Sequence, residues 1–181
     1  MTKKQILIFL IGASVASVVL RLLPHPANVT PMAALALFSG VYGTKVSKWV
    51  LALPIVLMAG TDLIVGTYHW QVMIAVYASF LAIAGIGLLV QRMKNVGTIT
   101  LGILGGVLLF FLVTNGAVWA FSGMYQLNFA GLMLSYAMAI PFLKLSLVGD
   151  LFYASVFFGV YEFLVSQVFY GKPTTTATDS N

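Results

Sequence analysis

The stretch TITLGILGGVLLFFLVTNGAVWAF, residues 98–121, contains no Lys, Arg, Asp, Glu or His. Crossing a bilayer as an α-helix takes about 20 mostly apolar residues in a row, and this stretch supplies them. The pattern repeats along the chain. Residues 5–23, 48–66, 71–91 and 147–169 form comparable runs, and 31–43 and 131–143 are apolar but short. The fold this predicts is an all-α integral membrane protein, a compact bundle of about six transmembrane helices spanning residues 1–170. The Thr-rich stretch 171–181 reads as a disordered polar tail.

Composition agrees. The 181 residues are 61% hydrophobic and 7% charged, against about 25% charged in an ordinary soluble domain. The formal charge of +5 comes from single flanking residues such as Lys45 and Lys48. With no patch to follow a phosphate backbone, no nucleic-acid partner is expected. The expected surroundings are the lipid bilayer. The chain has no Cys, which excludes disulfides, thiolate metal sites and a Cys nucleophile.

The positive charges orient the bundle. Lys3 and Lys4, then Lys45 and Lys48, then Arg92 and Lys94 fall on one side if residues 31–43 count as a crossing. By the positive-inside rule that side is the cytoplasm. The opposite connections, 24–30, 67–70 and 122–130, carry no Lys or Arg. A cytoplasmic N-terminus in a bacterial inner membrane follows as the expectation. With residues 131–143 folded against the outer face there are six crossings, and Lys172 lies inside. If that stretch crosses, there are seven. The N-terminal run resembles a secretory signal, but its apolar part continues through Val18, Val19 and Leu20, which favours a retained first helix.

Ionisable groups inside apolar runs are costly in hydrocarbon and are functional-site candidates by default. On this topology Arg21 lies near the outer end of the first helix, and Asp62 in the outer third of its span. His25 and His69 occupy outer loops, and Asp150 starts the last helix. Convergence at one level is what a ligand pocket open to the exterior needs. Arg21 pairing with Asp62 or Asp150 is the structural alternative, since buried charges are usually paired whatever their use. His25 sits between Pro24 and Pro26 on a stiff loop, where it either contacts a ligand or packs the loop.

Asn115 and Trp119 are four residues apart and share a helix face. Together they offer hydrogen bonds and a flat stacking surface, or else an interhelical contact and an interfacial anchor. Glu162 lies apart, near the cytoplasmic end, where bonding the backbone of another helix, pairing with Arg92 or Lys94, partner contact and proton coupling all stay open. Small residues mark close helix approach: Gly12 with Ala16 and Ala13 with Ser17 in the first helix, and Gly102, Gly105 and Gly106 in the fifth.

Three stretches carry a family resemblance. Arg21-Leu-Leu-Pro-His-Pro-Ala-Asn-Val-Thr-Pro31 leads into Ala33-Ala-Leu-Ala-Leu-Phe-Ser-Gly40. Phe110-Phe-Leu-Val-Thr-Asn-Gly-Ala-Val-Trp119 follows, then Ala139-Ile-Pro-Phe142 and Gly149-Asp150. They resemble a family of uncharacterised bacterial integral membrane proteins with a Pro-His-Pro-Pro-Asn-Phe-Thr-Pro segment after the first helix. Ala27 and Val29 depart from that segment. More distantly, the family is similar to the S components of energy-coupling factor (ECF) transporters. Those are six-helix vitamin and metal-uptake subunits that bind ligand on the outer side and dock a transmembrane partner driven by two ATPase subunits. The resemblance implies that Gly12, Ala13, Ala16 and Ser17 form the docking face. It makes loop 24–31, with His25 and Asn28, part of the cover over the ligand.

The leading expectation is a substrate-binding subunit for uptake of a small, vitamin-like solute, with Arg21, His25, Asn28, Asp62, His69, Asn115, Trp119 and Asp150 as ligand candidates. No resident cofactor or metal is expected. The chain lacks a Walker A motif, so energy would come from a partner or a downhill gradient. An accessory or structural subunit of a membrane complex is the alternative. Catalysis is not expected: Ala120-Phe-Ser-Gly123 falls short of the rhomboid Gly-x-Ser-Gly, both histidines precede Ser122, and there is no His-Glu-x-x-His.

Overall fold

The computed structural model describes residues 2–26 and 28–170, with side chains to residue 167; the stretch 171–181 and Lys172 lie outside the described residues. Among these the chain is all-helical. It forms α1 (Lys3–Leu22), α2 (Met32–Val41), α3 (Leu53–Val65), α4 (Trp70–Arg92), α5 (Val96–Phe121) and α6 (Phe129–Tyr170). Short 3-10 turns at Gly43–Lys45 and Lys48–Ala52 lead into α3. Five stretches are long and apolar enough to cross a membrane: α1, α4, α5, α6 and Lys48–Val65.

Local chemistry sets the boundaries. Thr2 and Gln5 form a reciprocal capping box at the start of α1, and Asn95 and Thr98 form another at the start of α5; each satisfies amide groups the helix leaves unpaired. Pro54 is the second residue of α3, in the first turn, where its missing N–H costs nothing. Gly66 ends it at φ 110°, a conformation that favours glycine. Within α5 the polar side chains bond to their own helix: Thr100 to Val96 O at 2.9 Å, Thr114 to Phe110 O at 2.7 Å, Asn115 to Phe111 O at 2.8 Å. A long apolar helix can thus carry hydroxyls and an amide with no unsatisfied donor facing lipid.

Neighbouring contacts give the directions. Gly40 meets Gly87, and Gln91 Nε2 donates to Val41 O at 2.9 Å, so α2 and α4 run the same way. Gly106 faces Ile83 and Gly102 faces Val90, so α5 runs opposite to α4. The even-numbered helices run one way and the odd-numbered ones the other.

Helix α2 is the most enclosed element, touching each of the other five helices. Leu35, Ala36, Phe38 and Ser39 are fully buried. Its close fit to α4 depends on glycine. A Cβ on Gly40 would fall 2.0 Å from Ala84 O, and one on Gly87 2.4 Å from Leu37 O. Lipid gives little hydrophobic reason for helices to associate, so such backbone-to-backbone packing carries much of the stability. Below it, Phe38, Tyr42, Phe157, Phe158 and Tyr161 form an aromatic cluster with ring centroids 4.1–6.5 Å apart.

The final third of the chain departs from the sequence expectation. Segments 131–143 and 147–169 are not separate: α6 is one helix of 42 residues that includes Pro141, about 63 Å long. The first segment does not fold across the end of the bundle but runs back along α5. Ser135 Oγ donates to Asn115 O and Tyr136 Oη to Leu112 O, both at 2.9 Å. Pro141 removes one backbone donor, yet the helix continues through Lys144 and Ser146. Asp150 therefore lies midway along α6 and does not begin a helix.

Candidate functional site

At about 1.5 Å per residue, the 10 residues of α2 rise about 15 Å, half of a hydrocarbon core of about 30 Å. Its longer neighbours continue past its first turn, leaving an unfilled space above Ala33. His25, Asn28 and Thr30, from the connection between α1 and α2, line that space. Asn28 takes φ 62°, a left-handed conformation that Asn tolerates better than most residues. Val29 packs on Gly149 of α6.

The space is a cavity of about 280 Å³. Arg21, His25, Asn28, Thr30, Ser146 and Asp150 give it polar groups, while Met58, Val76, Phe80 and Phe110 contribute apolar wall. A second hollow of about 410 Å³ adjoins it, sharing Asn28, Tyr68, Val76, Phe110 and Ser146 and reaching Thr114 and Asn115. Mostly apolar walls with a few convergent polar groups are the usual make-up of a small-molecule site.

Two charge arrangements meet here. The first is an ion pair, with the Arg21 Nε–H left buried without an acceptor among the described residues. Arg21 Nη2 donates to Asp62 Oδ1, and Tyr77 Oη donates to Asp62 Oδ2 at 2.6 Å. The Asp62 side chain is 2% exposed and that of Arg21 15%, so each buried charge has its counter-ion. Of the two partners the sequence allowed, Arg21 takes Asp62. Tyr68, on the connection between α3 and α4, has its phenol pushed above its ordinary value by burial and then by the Asp62 charge, with Arg21 pulling the other way.

The second arrangement is open. Asp150 is 8% exposed, and among the described residues no hydrogen bond or ion pair reaches its carboxylate. It lines the 280 Å³ cavity and also a crevice of about 10 Å³ walled by Leu37, Ile83, Gly102 and Val107. Ser146, one turn earlier on the same face of α6, also lines the cavity. Lys144 is exposed on the outside of that helix.

The other candidates fall in different places. His25 is tied to its own loop, with Nδ1 2.9 Å from Pro26 O and Nε2 3.1 Å from Arg21 O. Asn115 reaches the second hollow with its amide held by α5. Trp119 Nε1 donates to Gln126 O at 3.0 Å, fastening the α5–α6 connection, and lines neither hollow. His69 is exposed just before α4 and lines neither. Of the four small residues in α1, Gly12 and Ala16 face outward while Ala13 and Ser17 are buried, so they occupy two faces. Glu162 meets Lys94 at 2.6 Å and accepts from Tyr42 at the opposite end of the bundle.

Sequence reasoning missed Ser146, Tyr68 and Thr30. Ser146 had a signal: it lies four residues before Asp150, the spacing that puts two side chains on one helix face.

A hollow of this kind, framed by long apolar helices, defines a small multi-pass helical membrane protein with an internal cavity. The chain belongs to the family of unknown function DUF6580, which matches residues 1–175. No curated protein and no solved structure matches it.

Proposed function

We propose that this chain is the solute-binding membrane subunit for uptake of a small, vitamin-like molecule, energised by separate transmembrane and ATPase partners of the ECF type. The observation that carries the reading is the cavity above the short helix α2, lined by His25, Asn28 and Thr30 and holding Asp150. It lies toward the end of the bundle whose connections carry no Lys or Arg, and the positive-inside rule makes that end the exterior. The N-terminus is then cytoplasmic in a bacterial inner membrane, and the six alternating helices bring the C-terminal end of α6 back to the cytoplasm.

Native mass spectrometry of the full chain released from its own membrane tests the proposal. The wild type should carry a bound small molecule. Ala33→Leu, which fills the cavity floor without touching the Arg21–Asp62 pair, should lose it while keeping its Tm. Equal retention by the two proteins would refute the site.

A second reading, an accessory subunit of a larger complex, draws on the outward face of α1. Gly12 and Ala16 are exposed there, with open space around Gly12. Stable co-purification with partner chains and no bound small molecule would favour it.

A further inference from the structure

We infer that the solute is a small organic cation whose positively charged nitrogen is read by Asp150. The inference deepens the uptake reading and rests on it. It starts from a count of charges around the cavity. Arg21 is paired with Asp62, which also accepts from Tyr77, so their charges offset one another, and the Arg21 Nε–H is left without an acceptor among the described residues. The His25 ring nitrogens lie against the carbonyl oxygens of Pro26 and Arg21, and no hydrogen bond joins that ring to Asp150. Asp150 is left, more than nine-tenths buried, with no donor or cation among the described residues. Asp150 is therefore the acidic group on the cavity wall left without a partner among the described residues.

The surroundings of Asp150 offer no internal remedy. The crevice beside it has about 10 Å³ and, apart from Asp150, apolar walls, so a water there would lack the two to four polar partners it needs. The 280 Å³ cavity is where a partner has room. Isolated charges in an apolar interior are so costly that proteins pair them or neutralise them. A solute carrying a protonated amine or amidine-like nitrogen supplies the missing charge and N–H donors together, a combination stronger than a neutral hydrogen bond. The Ser146 and Thr30 hydroxyls, on the same cavity, can accept further N–H groups.

The walls fit the rest of such a molecule. Phe80 and Phe110 have ring centroids 5.4 Å apart, and both line the cavity with Tyr68. Aromatic faces attract cations and stack on planar rings. An anionic solute would instead meet an uncompensated carboxylate, and like-charge contact in a poorly hydrated site is strongly unfavourable.

Three probes of similar shape test the inference by calorimetric titration of the full-length protein in detergent: benzylammonium, benzyl alcohol and benzoate. The wild type should prefer benzylammonium over benzoate at least tenfold. Asp150→Asn should abolish that preference while still binding benzyl alcohol, which shows an intact cavity, and Asp150→Glu should restore part of it. Preference for benzoate, or an unchanged preference in Asp150→Asn, would overturn the cation assignment. The co-purified solute separates the two claims. An anionic solute would overturn the cation class and leave uptake standing, whereas a wild type that retains no solute and binds none of the probes would overturn both.

Discussion

Replacing Arg21 with Met strands the Asp62 carboxylate. Its side chain is 2% exposed, and after the substitution only the Tyr77 hydroxyl, 2.6 Å from Oδ2, remains bonded to it. Breaking a buried pair by removing one partner costs about 3–5 kcal/mol, because the surviving charge is uncompensated. For a chain of this length each kcal/mol moves Tm by about 2–4 °C, so Arg21→Met should lower the Tm of the ligand-free protein by about 6–20 °C. Asp62→Leu should be similarly harmful, leaving buried Arg21 without its counter-ion. The double variant removes both charges, and replacing a buried pair by apolar groups of like size is often nearly neutral. It should therefore be more stable than either single variant, with a coupling of about 3 kcal/mol or more. Thermal unfolding in detergent across the four proteins gives the cycle. Additive losses would refute the claim that Arg21 and Asp62 form one closed, mutually compensating unit.

Two further outcomes follow from the packing. Gly87→Ala puts a Cβ 2.4 Å from Leu37 O and 2.8 Å from Gly40 Cα, so α2 and α4 must separate, at about 1–3 kcal/mol by the usual cost of overpacking. Gly85→Ala, with nothing within 4 Å, should be neutral or slightly stabilising through helix propensity; equal losses by thermal unfolding would contradict the close crossing. At the other end, Lys94→Ala breaks a pair whose side chains are 38% and 44% exposed. It should cost under about 1 kcal/mol, as exposed ion pairs do, and a larger loss would mean that the pair is shielded from water.

Individual helices were more legible in the sequence than their joins. Residues 98–121 read as a span because no charge interrupts them, and α5 covers Val96–Phe121. The short segment 31–43 stood out for its length, and that shortness opens the cavity. Helix α6 appears in the sequence as two apolar runs, 131–143 and 147–169, with Lys144 and Ser146 between them. A proline removes one hydrogen bond, which contacts such as Tyr136 to Leu112 O offset, and no local pattern reports those contacts. The split also hid Ser146, since the helix was read as starting at residue 147. Helix rotation decided the rest. Asn115 turns toward a hollow, while Trp119, on the same nominal face, is drawn to Gln126 O. The Gly40–Gly87 crossing joins residues far apart in sequence, so spacing within one helix could not show it.

The absence of Cys permits a direct test of where the cavity opens. Ser146→Cys places a single thiol of nearly unchanged size on the cavity wall, and Met93→Cys places one at the exposed connection between α4 and α5. In intact spheroplasts, a membrane-impermeant cationic methanethiosulfonate should modify Cys at 146 and spare Cys at 93 until the membrane is opened. Labelling of position 93 from outside while 146 stays protected would contradict an outward-facing binding cavity.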